Sequence, residues 1–102
     1  MDKDAALKLV RQFRESLRAN GVRVARVILF GSHAMGTARE DSDIDLIVIS
    51  PDFSAQELWD RLQLMAPSIW ETHTPMEVIP MTPEEWEEGS MVKEMVAGGV
   101  DV

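Results

Sequence analysis

Cysteine is absent from this chain of 102 residues. Its absence excludes disulfide frameworks, zinc sites built on thiolates and cysteine nucleophiles. Long apolar runs are also absent, because no stretch approaches the roughly 18 to 20 residues that a membrane-spanning helix needs. The N-terminal residues lack the apolar segment of a signal peptide. The sequence therefore predicts a cytoplasmic protein that does not bind a membrane.

Basic residues are scarce after residue 40. Residues 1–40 carry eight Lys or Arg against four Asp or Glu, residues 41–102 carry two against fourteen, and the formal net charge is −8. Because affinity for nucleic acid comes mostly from cationic contacts to phosphates, we expect no direct nucleic-acid binding. Clustered carboxylates attract divalent cations, which can in turn hold nucleotide phosphates. The acidic half is therefore compatible with a metal-bound nucleotide.

The length and the ordinary composition, 45% hydrophobic and 27% charged, predict one small globular domain over residues 1–102. A helix is predicted from residue 4 to about 19, because apolar residues recur there at helical spacing, and Asn20-Gly21 provides its stop. This stripe contains Ala6, Leu9, Val10, Phe13 and Leu17. Strands are predicted over residues 24–30, 44–49 and 76–81, the second of them covered on both faces.

Three further helices are predicted between and after these strands. Ser54 and Glu57 have the spacing of a capping box before a long helix that Pro67 ends or kinks. The face of this helix that packs on the core is predicted to contain Leu58, Leu62, Met65 and Ile69. Residues 82–85 combine an N-cap with a proline and a second capping box, and residues 90–97 are predicted to be helical. The order predicts an α/β fold, with a small sheet of three or slightly more strands and helices packed on it.

Gly31-Ser32 lies where the first predicted strand meets a short helical turn, residues 32–35. Glycine lets a phosphate approach the backbone, and the start of a helical turn presents free N–H groups. The Ser32 hydroxyl could donate to a phosphate oxygen. A glycine-serine pair after a strand is usually only a turn, so this pair indicates a phosphate site only in combination with a second feature.

Asp43 and Asp45 open the second predicted strand. Two residues apart on a strand, their side chains leave the same face while Ile44 points to the other. Adjacent carboxylates resist joint ionisation unless a cation lies between them, and magnesium prefers such oxygen ligands. The alternative is that Asp43 caps a turn and Asp45 is solvated. The apolar neighbours of Asp45 favour the metal site.

The segment GSHAMGTAREDSDIDLIVI contains both features, separated by the ten residues 33–42. It resembles the signature of the minimal nucleotidyltransferases, the smallest members of the DNA-polymerase-β-like superfamily. Gly36, Ala38, Arg39 and Ser42 also match that group's pattern G-x-A-R-x-x-S-D. His33 departs from the pattern, since many relatives have arginine there; we expect an exposed loop histidine. The resemblance implies the polymerase-β-like nucleotidyltransferase fold over the whole chain, an α/β (α+β) fold with a small mixed sheet and helices packed on it.

The resemblance also implies the site residues. Asp43, Asp45 and a third carboxylate would hold two Mg²⁺ ions and act in catalysis. Glu77 in the third strand is our candidate for that carboxylate, although the family more often has aspartate there, and Glu71 is the alternative. The nucleotide would be bound by Gly31, Ser32, Arg39 and Ser42. The alternative for Arg39 is a salt bridge to Glu40 or Asp41.

The implied activity is transfer of a nucleoside monophosphate, AMP from ATP, to an acceptor hydroxyl. By the same resemblance the acceptor would be a tyrosine of a helical HEPN-type toxin, and this chain its antitoxin. Transfer to a small molecule such as an aminoglycoside is one alternative, and a non-catalytic antitoxin that only covers its partner is another. Trp59, Trp70 and Trp86 would suit a partner surface if exposed, but each is expected in or beside the core.

Overall fold

The computed structural model describes residues 1–102. A single 3-10 turn, Pro51–Phe53, follows the second strand. The helices are α1 (Lys3–Ala19), α2 (Ser32–Met35), α3 (Leu58–Glu71), α4 (Pro83–Glu88) and α5 (Ser90–Met95), and the strands are β1 (Arg26–Phe30), β2 (Ile44–Ile49), β3 (Met76–Met81) and β4 (Val100–Asp101). None of these helices is long and apolar enough to cross a membrane.

The four strands form one mixed sheet in the order β3-β2-β1-β4. β2 runs parallel to β3 and antiparallel to β1, and β4 pairs antiparallel with the other side of β1. The parallel pair is joined through α3, as a crossover connection requires. The predicted small mixed sheet with helices packed on it is therefore confirmed.

The core lies on both faces of this sheet. Ile44, Leu46 and Val48 of β2 pack with residues of α1 and α3, whereas Ile47 and Ile49 pack towards α4 and α5. β2 is thus covered on both faces, as its unbroken apolar run predicts. Because alternate side chains leave opposite faces of a strand, Asp45 lies on the face of Ile47 and Ile49.

The best-predicted elements are those with strong periodicity. α1 buries the predicted stripe, with only Leu9 partly buried, and ends at Asn20, after which Gly21 has a φ of +87°. β2 and β3 have the predicted bounds, and the Thr82–Glu85 capping box is present with both of its hydrogen bonds. β1 begins two residues later than predicted.

The start of α3 differs from the prediction. Ser54 does not cap it, because the Ser50 hydroxyl accepts from the N–H of Asp52 and starts the 3-10 turn that Ser54 ends. α3 begins only at Leu58, whose side chain is 61% exposed rather than packed on the core. The helix also continues four residues past Pro67 to Glu71. Pro67 is exposed, so water can satisfy the carbonyl that the missing N–H leaves free.

Two of the three tryptophans are not in the core. Trp59 and Trp70 on α3 are 69% and 78% exposed. Only Trp86 of α4 is half-buried, with the cations of Arg26 and Lys93 at 5.2 and 5.6 Å from its ring centre. The expectation that all three lie in or beside the core is therefore wrong for Trp59 and Trp70.

Glu85 connects α4 to α3 and offers a test of the packing between them. Its carboxylate accepts from the backbone N–H of Thr82 at 2.8 Å and from two nitrogens of Arg61 at 2.5 and 3.0 Å. These donors, Arg61 first, lower the pKa of Glu85. We expect Glu85→Ala to lower the free energy of unfolding by about 1–2 kcal/mol, because it removes a helix cap and the ion-pair partner of Arg61.

The measurement is urea unfolding at neutral pH, with Glu84→Ala as the control because Glu84 is exposed in the same helical turn. The stabilisation from Glu85 requires its ionised form. It is present at neutral pH and is lost as the pH falls through the lowered pKa. Equal unfolding midpoints for the two variants would contradict this account of the α3–α4 contact.

Candidate active site

Asp45 and Glu77 lie side by side on two parallel strands, the central strand β2 and the edge strand β3. In the register of β2 and β3, Asp45 is the direct partner of Glu77, and Phe30 of β1 is its partner on the other side. The carboxyl groups of Asp45 and Glu77 are close enough to interact, since Glu77 raises the pKa of Asp45 both by its charge and by side-chain hydrogen bonding. The structure thus brings together two of the three carboxylates that the sequence predicts, and the parallel register is what aligns them.

The environment of Asp45 disfavours its charged form. Burial is the largest cause that raises the pKa of Asp45, followed by the charge of Glu77, the hydrogen bond to Glu77 and the charge of Asp43. His33 acts in the opposite direction and lowers it. A partly buried carboxylate between two other acids is the arrangement that a divalent cation would relieve.

Gly31 lies against the carboxylate of Asp45. It follows β1 with a φ of +74° and ψ of −156°, a backbone conformation essentially restricted to glycine. A Cβ atom placed on Gly31 would overlap Oδ2 of Asp45 and would lie 3.2 Å from its Cγ. The glycine therefore lets the backbone at the end of β1 approach the carboxylate of β2.

Ser32 is the first residue of α2 and is half-buried beside this approach. The turn is closed by hydrogen bonds from Met35 N–H to Gly31 C=O at 3.1 Å and from Thr37 N–H to Ser32 C=O at 3.0 Å. The predicted helical turn is confirmed. Gly31 and Ser32 thus share the β1–α2 junction next to Asp45, as their spacing in the sequence suggests.

His33 is buried, not exposed in a loop as expected. Its side chain retains 4% of its exposure, and Nδ1 lies 3.1 Å from the backbone oxygen of Asp43. Because a carbonyl only accepts, Nδ1 is the donor in this bond. His33 lies on the inner side of α2, and its ring fixes the backbone where β2 begins. Its place directly after Gly31-Ser32, within the helical turn, is the sequence signal for this role.

The loop before β2 is organised by Ser42. Its hydroxyl accepts from the N–H of Arg39 at 2.9 Å, and its own N–H donates to the Arg39 carbonyl at 3.0 Å. Asp43 follows as an exposed residue. The Arg39 side chain is also exposed, and it makes neither of the salt bridges, to Glu40 or to Asp41, that were its alternative. Ser42 thereby shapes the loop that presents Arg39 and Asp43.

Glu71 lies away from this site. It belongs to the last turn of α3, where its carboxylate accepts from the Ser16 hydroxyl of α1 at 2.6 Å. α1 and α3 cover the opposite face of the sheet from Asp45. The carboxylate that joins Asp45 is therefore Glu77 and not the alternative, Glu71.

The acidic residues form an open face. Asp43 and Glu77 are exposed and Asp45 is half-buried. No three acidic or histidine side chains converge on one point as a preformed metal cage. Oxygen atoms of Asp45 and Glu77 are the preorganised pair, and Asp43 adds its charge from the end of the loop. Such a set of hard oxygen ligands suits an ion that is completed by water and by substrate phosphates.

Several solved structures share this fold. A candidate nucleotidyltransferase from Sulfolobus solfataricus superposes with a TM-score of 0.74 at 21% identity, covering 97% of this chain and 80% of the other. A candidate minimal nucleotidyltransferase gives 0.64 at 23% identity, covering 100% and 97%. A toxin–antitoxin structure with AMP-PNP gives 0.60 at 21% identity, covering 99% and 72%. The architecture is thus shared with these proteins.

Sequence comparison gives a more specific result. No curated protein matches the chain. Residues 10–99 match the sequence model described as the nucleotidyltransferase domain. The matched range contains Gly31-Ser32, Asp43, Asp45 and Glu77 and extends over most of the chain. With the mixed sheet and the carboxylate pair at the β2–β3 register, this match shows that the chain belongs to the nucleotidyltransferase domain family.

Proposed function

We propose that this protein is a magnesium-dependent nucleotidyltransferase that transfers AMP from ATP to a hydroxyl of a partner protein, and that it serves as the antitoxin of a toxin–antitoxin pair. The observation that carries the chemistry is the contact of Asp45 with Glu77 under the backbone of Gly31. Family membership supports nucleotidyl transfer as the reaction class. The toxin–antitoxin neighbour with AMP-PNP supports the choice of nucleotide and of partner.

The carboxylates fit magnesium as the cofactor. Asp43, Asp45 and Glu77 would hold it, and a cation beside Asp45 would offset the burial and the neighbouring acidic charges that raise its pKa. When bound, magnesium neutralises phosphate charge and lowers the pKa of an oxygen nucleophile. Glu77, the more exposed of the paired acids, can accept the proton of the acceptor hydroxyl. Gly31 and Ser32 would hold the β- and γ-phosphates beside the pair, and Arg39 and Ser42 would contact the nucleotide from the loop before β2.

The reaction is an in-line displacement. The acceptor oxygen forms a bond to the α-phosphorus, the bond from that phosphorus to the bridging oxygen breaks, and pyrophosphate leaves. The proton of the acceptor hydroxyl goes to Glu77. No side chain becomes covalently modified, so the residues act by positioning and by charge.

A protein is the acceptor best suited to the observed surface. The carboxylates lie on an open face, where a bulky acceptor can reach them. Trp59 and Trp70, eleven residues apart on α3, lie on the same side of that helix and are both highly exposed. Large exposed aromatic side chains are enriched at protein interfaces. They support a protein as the partner, and we propose for it the helical, HEPN-type toxin that the resemblance of the sequence implies.

The decisive experiment combines the purified chain with a co-purified partner, α-labelled ATP and magnesium, followed by intact mass of every chain. We expect one AMP to be gained by the partner and none without magnesium. A gain on a small acceptor such as an aminoglycoside, in the absence of any partner, would replace the acceptor assignment. Neutralisation of a toxin that survives Asp43→Asn and Asp45→Asn would show a non-catalytic antitoxin that acts by covering its partner.

A further inference from the structure

The outer edge of β3 carries unpaired backbone groups beside the active site. β3 is an edge strand in the order β3-β2-β1-β4. Its ladder to β2 is fixed by Ile44 N–H donating to Pro75 C=O at 3.1 Å and Ser50 N–H donating to Met81 C=O at 3.0 Å. In a parallel pair the backbone N–H and C=O groups of every second residue point towards the neighbouring strand. The odd-numbered residues of β3 therefore form the hydrogen bonds to β2. The N–H and C=O groups of Met76 and Val78 point outwards.

The C-terminal part of the same edge is blocked. Pro80 has no N–H to donate, and its carbonyl accepts from Nη1 of Arg61 at 3.3 Å. Thr74, before the strand, donates its N–H to the Thr72 hydroxyl at 3.3 Å, and its carbonyl lies 3.4 Å from the same hydroxyl. The open stretch is therefore limited to Met76 and Val78, which flank Glu77. Two donors and two acceptors remain there at strand spacing.

A largely apolar pocket adjoins this open stretch on the α3 face of the sheet. It has a volume of about 430 Å³ and is lined by Ile69, Trp70, His73, Thr74, Pro75 and Met76. Trp70 is 78% exposed at its rim. A strand added at Met76 and Val78 would project alternate side chains towards this pocket and towards the carboxylate face.

A second copy of this chain is a poor occupant of the edge. The symmetric arrangement would be antiparallel, with Met76 of each copy bonded to Val78 of the other. This places Glu77 of each copy directly opposite the other, and like charges directly opposite are destabilising. A strand with a neutral or cationic residue at that position has no such conflict.

We propose that an extended segment of the acceptor protein adds to the sheet as a strand along Met76 and Val78, with its acceptor hydroxyl residue directly opposite Glu77. Residues directly opposite on paired strands have Cβ atoms roughly 4.5–5.5 Å apart and lie on the same face. The acceptor side chain then faces Asp45 and Glu77, and an apolar neighbour on the other face enters the Trp70 pocket. This inference rests on the proposed function for its acceptor.

The test uses the full chain without nucleotide and a blocked nine-residue peptide of alternating threonine and valine, with lysine at both ends and a central tyrosine. Amide hydrogen exchange should slow at Met76 and Val78 by about tenfold or more at saturation. Val78→Pro removes one outward N–H donor and leaves the hydrogen bonds to β2 in place. It should weaken the affinity for the peptide by about tenfold. The control Val78→Ala keeps the N–H and should bind within about threefold.

Several results would overturn the proposal: no binding at about 1 mM peptide, protection of other amides, or equal affinity of Val78→Pro and the unmodified chain. A dimer of this chain that Val78→Pro dissociates would overturn the choice of occupant. If Val78→Pro does not fold, the amide exchange of Met76 and Val78 in the unmodified chain still tests whether the peptide binds at this edge. If Val78→Pro transfers AMP as well as the unmodified chain does, the docking at the β3 edge is refuted and the proposed function is not. If the peptide binds at the β3 edge but no acceptor receives AMP, the proposed function is refuted and the docking is not.

Discussion

Asp45→Asn is expected to abolish nucleotidyl transfer and at the same time to stabilise the fold at neutral pH. Burial and the neighbouring acids raise the pKa of Asp45, so the folded protein holds the charged form unfavourably. Asparagine keeps the shape and removes the charge. Transfer should fall by about a thousandfold or more, as when a main source of charge stabilisation is removed from an active site.

The sign of the stability change is set by the raised pKa. Below the ordinary pKa of an aspartate, about 4, the carboxyl group is protonated in both the folded and the unfolded state. As the pH rises through the raised folded-state pKa, the unmodified protein loses stability that the Asp45→Asn variant keeps. The difference in melting temperature should therefore be largest at neutral pH and should shrink in acid.

Two matched variants separate the effects in this experiment. Asp43→Asn should also lose transfer, but it should gain little stability, because Asp43 is exposed. Asp41→Asn removes the same charge from the loop and should change neither property by much. Transfer at the unmodified rate by Asp45→Asn, or a lower melting temperature at pH 7, would contradict the role of this residue.

Sequence patterns were sufficient where one local preference dominates. The helical stripe of α1 and the apolar run of β2 each specify type, bounds and buried face, and both are observed. The spacing of Gly31-Ser32 from Asp43 and Asp45 identified the family because it combines a backbone requirement with a chemical one. Asp45 can approach the end of β1 only where residue 31 has no Cβ.

Features that depend on contacts between distant residues could not be predicted from the sequence. β4 has two residues, and it exists because Val100 and Asp101 pair with β1, more than seventy residues away in sequence. Glu77 could be proposed by residue type alone, while its contact with Asp45 depends on the register of β2 and β3. Hydrophobicity alone cannot distinguish a buried tryptophan from an exposed one, which is why the sequence prediction was wrong for Trp59 and Trp70.

Gly31→Ala carries the second large expected effect, a loss of both stability and transfer. Alanine at a φ of +74° and ψ of −156° costs about 1–3 kcal/mol in backbone strain. Its Cβ would in addition overlap Oδ2 of Asp45, so either the carboxylate or the end of β1 must move. A displacement of this size at the reacting centre should lower transfer by about a hundredfold.

Gly21→Ala is the matched control. Gly21 also has a positive φ, +87°, but a Cβ there would meet nothing within 4 Å, and the residue follows α1. It should lose about 1–2 kcal/mol of stability from strain and keep its transfer rate when assayed well below its melting temperature. Transfer by Gly31→Ala within a few-fold of this control would mean that the close approach of Gly31 to Asp45 is a packing feature. A much larger loss would show that Gly31 maintains the geometry of the carboxylate pair, because both variants place alanine at a positive φ and only Gly31→Ala adds the collision with Asp45.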